Sequence, residues 1–98
     1  MSGMIELVMI AALAAGGSPE RDAVCMSWAS SARTVMTARQ SGESADDMMK
    51  RFGSDIDDTI RRTILAAYSR PRSAGAAQRE REIADFGDRA FVECMSAR

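Results

Sequence analysis

The chain has 98 residues, 46% hydrophobic and 28% charged, with a formal net charge of −1, which suits one domain of ordinary globular balance and excludes a wholly disordered chain. Histidine is absent, removing the commonest general base and the commonest metal ligand, and thirteen bases against fourteen acids leave no basic footprint of a nucleic-acid binder. With one Trp, one Tyr and three Phe the core must be mostly aliphatic residues, Ala and Met, and a domain this small is marginal without a staple.

The first element is the apolar run Leu7–Ala15, preceded by Met4, Ile5 and the single acid Glu6. It falls short of the roughly 20 residues of a bilayer span, so no stable membrane span is expected. It fits the apolar region of an export signal, and Ala12-Leu13-Ala14 supplies the small-residue cleavage pattern. No Lys or Arg precedes the run, and the first base is Arg21. Residues 1–17 therefore read as a signal peptide or as an N-terminal apolar helix stopped by Gly16-Gly17, with export the reading adopted, and residues 18–98 as a single helical domain.

Ser18-Pro19-Glu20 opens the next helix, with Ser as N-cap, Pro at the first helical position and an acid in the first turn. Val24, Cys25, Trp28, Ala29, Ala32, Val35 and Met36 follow at steps that place them on one face, and Gly42 is the expected stop. A short helix capped by Ser44 carries Asp46 and Asp47 in its first turn, a stripe of Ala45, Met48, Met49 and Phe52, and ends at Gly53. Ser54 is the expected cap of the next, with Asp55, Asp57 and Asp58 against the positive end of the helix dipole and a stripe of Ile56, Ile60, Ile64, Ala67 and Tyr68. Pro71 forbids its continuation. After the loop "RPRSAGAA", a long helix carries Ile83, Phe86, Gly87, Ala90, Phe91 and Cys94 on one face. Gly87 within that stripe costs about 1 kcal/mol of helix propensity, which predicts a close helix approach there. No stretch alternates with period two, so the expected fold is all-α, a small bundle of about four helices.

The two cysteines lie at opposite ends of that bundle, Cys25 near the start of the first long helix and Cys94 near the end of the last. If those helices run antiparallel the thiols can meet, closing a loop of about 70 residues that the chain-entropy treatment values at about 4 kcal/mol. The other reading is two buried free thiols. With the export-like front, the bridge is the reading adopted. Two thiolates without histidine fall short of a zinc set, so no metal and no cofactor is expected.

Cys25, "VMTARQSG" over 35–42, "AAYSRP" over 66–71, then Gln78, Ile83, Phe86 and Cys94 resemble a group of small exported proteins of proteobacteria and their phages or prophages. That group combines a signal peptide, a cysteine, an M-x-x-RQ-x-G segment, an AY-x-x-P segment and a closing F…C. The resemblance spans residues 25–94 and implies a location and a bridge, not a mechanism. The missing basic residue before the apolar run is a departure from the group.

Among polar residues, Arg39 and Gln40 in "ARQSG" are candidate partner contacts, although the favoured reading of Arg39 is an arginine that fixes the turn to the next helix, needing a carboxylate or helix-end carbonyls. Asp46, Asp47, Met48 and Met49 form a second candidate contact, acidic with an adaptable methionine pair. The acids from Asp46 to Asp58 lack the calcium-loop pattern and are explained by helix capping. "MMKRFGSDIDDTIRR" has the outline of a helix–turn–helix, but Asp55, Asp57 and Asp58 would face phosphate, which excludes nucleic acid as partner. The serines around Trp28 have no His, and no serine-nucleophile arrangement is evident. The expected function is thus a periplasmic or secreted binding protein, not an enzyme, with a protein partner. The alternative is a cytoplasmic phage-type inhibitor that uses the acidic face Asp46–Asp58 on a nucleic-acid-binding host protein.

Overall fold

The computed structural model describes residues 18–97. The apolar segment 1–17, with both its signal-peptide and its N-terminal-helix reading, lies outside the described residues.

Helix α1, Pro19–Gln40, begins as the sequence predicts: the Ser18 hydroxyl accepts from the Arg21 N–H at 3.1 Å and Pro19 takes the first turn, where its missing N–H costs nothing. It ends at Ser41, and Gly42 at φ +89° turns the chain in a conformation that side chains disfavour. Helix α2, Ala45–Phe52, is capped by Ser44, whose hydroxyl accepts from the Asp47 N–H at 3.1 Å, and stops at Gly53, φ +53°.

Helix α3 departs from expectation at its start. Residues Gly53–Asp55 form one turn of 3-10 helix, Ile56 is extended, and α3 runs Asp58–Tyr68. Its cap is Asp57 rather than Ser54: the Asp57 carboxylate accepts from the Ile60 N–H at 2.8 Å. Asp caps at least as well as Ser, and the later start lets Ile56 reach the core from extended backbone. Asp55 therefore lies outside the first turn of α3. Helix α4, Ala76–Ser96, follows the Pro71 loop from Gly75, and no side chain caps it.

Among the described residues all regular structure is helical, a bundle of four helices. α1 is its centre, burying Cys25, Ala29, Ala32, Val35, Met36 and Ala38. α4 packs along α1 antiparallel, and α3 lies on the other flank of α1 with α2 against it. The joint core gathers Val35, Met36, Met48, Ile64, Ala67, Phe86 and Ala90. Each large side chain buried there contributes about 1.5–3 kcal/mol. Cys25 and Cys94 are bonded, with their Cα atoms 5.5 Å apart, so the bridge and the antiparallel pairing hold together. Gly87 explains its own place in the stripe: a Cβ there would collide with the Cγ of Arg33 on α1, so the glycine admits the stem of that arginine.

Two residues of the expected α1 stripe are not core. Val24 is 62% exposed, and Trp28 is only half-buried. The cause is one of arrangement: α3 and α4 both pack on α1 but scarcely meet each other, so the surface of α1 between them stays uncovered.

Candidate functional site

The "ARQSG" end of α1 folds against the loop that follows α3. The Gln40 side chain is 2% exposed. Its Nε2 donates to the Pro71 carbonyl at 3.3 Å, and its Oε1 accepts from the Ser73 N–H at 2.8 Å. The Gln40 carbonyl accepts from Arg72 Nε at 2.7 Å. Arg39 donates through Nε to the Arg70 carbonyl at 3.0 Å, with its guanidinium 5.5 Å from the Tyr68 ring centroid. The Tyr68 hydroxyl donates to the Glu43 carbonyl at 2.8 Å. Arg39 thus finds the helix-end carbonyl its position demanded. "ARQSG" and "AYSRP" form one clamp. Burial pushes the Tyr68 phenol above its ordinary pKa of 10.0, and the nearby Glu43 carboxylate adds to the effect.

The acidic candidates sit on separate elements. Asp46 and Asp47 are exposed on the first turn of α2. Asp46 pairs with Lys50 at 2.9 Å one turn on, and that hydrogen bond holds the ammonium above its usual pKa. Glu43 is bound by Arg51. Met48 is inside the core and Met49 half-buried against it. Of the six candidate contacts, then, Asp46 and Asp47 face solvent, Arg39 and Met49 are partly covered, and the Gln40 and Met48 side chains are interior. Among the described residues no group of three His, Cys, Asp or Glu side chains is placed to hold a metal ion. Among them, too, no helix is long and apolar enough to cross a membrane.

Among the described residues one concavity is built from none of the candidate contacts that the sequence offered. Where α3 and α4 diverge over α1 they leave an open groove of about 630 Å³. Trp28 of α1 lies in it, Thr59, Thr63, Ala66 and Ser69 line the α3 side, and Phe86, Ala90 and Cys94 the α4 side. Arg62, Arg70, Arg89 and Glu93 supply its charges. Arg70 is the anchored one: its guanidinium lies 5.0 Å from the Phe86 ring centroid and reaches Asp85 at 3.3 Å and Glu82 at 3.4 Å. On the other side of Trp28 a smaller crevice of about 270 Å³ opens between α1 and α3, lined by Val24, Val35, Phe52 and Ile60. The apolar stripes of α3 and α4 are each one face wide, enough to cover α1 but not also each other.

No family model matches this chain, and no curated protein and no solved structure matches it.

Proposed function

We propose that this is a small exported protein of bacterial or phage origin that acts in the cell envelope by binding another protein rather than by catalysis. The observation that carries the reading is the Cys25–Cys94 bridge. A disulfide joining the first and last helices of a small bundle is at home in an oxidising compartment, where it persists and supplies stability that a small core lacks. The apolar run Leu7–Ala15 with its Ala12-Leu13-Ala14 pattern supports export, as does the resemblance to small exported proteobacterial and phage proteins. Binding as the mode of action is supported by the groove over Trp28, an open concavity lined by apolar, hydroxyl and charged side chains.

Intact mass of the protein from a periplasmic extract of its native host, with and without reductant, tests this directly. The expected mass lacks about 14–17 N-terminal residues and reports an oxidised cysteine pair. Protein that keeps Met1, or that carries two free thiols, would overturn the reading.

A further inference from the structure

We infer that the Cys25–Cys94 bridge is a reversible latch, opened at Cys94 by a protein dithiol, and that opening it frees the joined ends of α1 and α4 while the rest of the bundle stays folded. The two sulfurs are not equivalent. Cys25 is 1% exposed, whereas Cys94 is only partly buried and lines the open groove with Trp28. An attacking thiolate needs access to the sulfur it strikes, so Cys94 is the point of entry. The chemistry is thiol–disulfide exchange. One thiolate of the dithiol bonds to the Cys94 sulfur, the bridge breaks, and its electron pair leaves on Cys25, which takes up a proton. The second thiol of the dithiol then bonds to the first, breaking the mixed disulfide and releasing Cys94 as a thiol. Two electrons have passed from the dithiol to the bridge, and the reductant departs as a disulfide.

What the bond holds follows from the burial around it. The joint core reaches from Ala32 to Ala90 and contains neither cysteine. Over residues 18–28 Cys25 is the only buried side chain, and over residues 91–97 there is none. Trp28, Phe91 and Met95 are partly covered. Among the described residues no side-chain hydrogen bond and no ion pair joins these two segments, whose hydrogen bonds are those of their own helices and caps. Helix ends with so few buried contacts have little stability of their own. The remaining elements are tied elsewhere. Met48, Ile64 and Ala67 hold α2 and α3, and the clamp from Gln40 to Arg72 and Ser73 fixes the loop that leads into α4. Reduction therefore loosens one end of the bundle. Cys94 and Ala97 line the groove at that end and Ser69 and Arg70 at the other, so the latch sets whether the groove keeps its full length.

The sample is purified oxidised protein whose bridge has been verified by intact mass, so a missing bridge is told apart from a bridge that is no latch. Excess glutathione, standing for the first thiol of the dithiol, is added briefly and quenched with N-ethylmaleimide, and peptide mass mapping reads which cysteine carries it. Glutathione is expected on Cys94 and maleimide on Cys25, in about tenfold or greater excess over the reverse. Hydrogen exchange after full reduction with dithiothreitol reads the second half. Peptides covering 19–28 and 91–97 should then exchange as an unfolded chain does, while those covering α2, α3 and 76–90 keep their protection. The variant carrying both Cys25→Ala and Cys94→Ala should show the same pattern without reductant. The inference is overturned if no adduct forms, if glutathione is found on Cys25 or equally on both cysteines, if the two segments stay protected on reduction, or if the whole chain loses its protection together.

Discussion

Cutting the Cys25–Cys94 bond tests the fold most severely, because it joins positions 69 apart in sequence. For a loop of that size the chain-entropy treatment gives about 4 kcal/mol at 25 °C, and natural bridges in small secreted domains deliver about 2–5 kcal/mol on removal. Set against a total stability of about 5–15 kcal/mol for a domain, that is a large share. The sequence alone leads to equal losses for Cys25→Ser and Cys94→Ser, but the two sites differ. Cys25 is 1% exposed, so Ser there also buries a hydroxyl, whereas Cys94 is half-buried and its hydroxyl can reach water. The better pair is therefore Cys25→Ala and Cys94→Ala, which should lose nearly the same amount, about 2–4 kcal/mol, with the double variant no worse than either single. The assay is urea unfolding with and without reductant. Reduction of the wild type should lower the midpoint to that of the Ala variants. It should also steepen the transition, because the unfolded chain, freed of its loop, exposes more surface. Unchanged midpoint and slope on reduction, or two titratable thiols in oxidised protein under denaturant, would refute the pairing and the placement of α4 on α1.

Two further outcomes follow from the caps and the clamp. Asp57→Ala should cost about 1 kcal/mol in urea unfolding while Ser54→Ala costs little, because the Asp57 carboxylate alone accepts the orphan Ile60 N–H; the reverse order would restore a helix beginning at Ser54. Tyr68, the only tyrosine, should ionise in an ultraviolet absorbance titration above its ordinary 10.0, and at that ordinary value in denaturant. Because the folded-state value is the raised one, this contribution to stability is fully present below about pH 10 and is lost as pH rises through the folded value. The urea midpoint of the wild type should thus fall faster above pH 10 than that of Tyr68→Phe, and parallel curves would refute it.

What the sequence disclosed of the fold followed from punctuation and period. Ser18-Pro19, Ser44, Gly42, Gly53 and Pro71 are local signals whose physics does not depend on the rest of the chain, and the structure uses each where expected. The shift from Ser54 to Asp57 was not legible, because two good caps three residues apart are separated only by where Ile56 can reach the core, a tertiary matter. Gly87 announced a close approach, but not that the approaching group is the stem of Arg33. The candidate contacts fared unevenly for a related reason. Gln40 and Met48 are of residue types that stand equally at a surface, and only the Pro71 loop and the packing of α2 on α3 show that here they are interior. The groove over Trp28 lay furthest from reach. It arises from what α3 and α4 leave uncovered, and a stripe marks which face of a helix is buried, not how much of its neighbour remains bare.

The antiparallel match of α1 with α4 also sets an order of events in time. α1 precedes α4 in the chain, and the surface that covers most of its apolar face belongs to residues 76–96. Until those residues are available, Ala29, Ala32 and Val35 have little to pack against, and an isolated amphipathic helix gains most of its stability from such packing. The larger part of the packing on α1 therefore waits for α4 and closes over a long sequence separation. The two cysteines, 69 positions apart, cannot meet until α4 has been made.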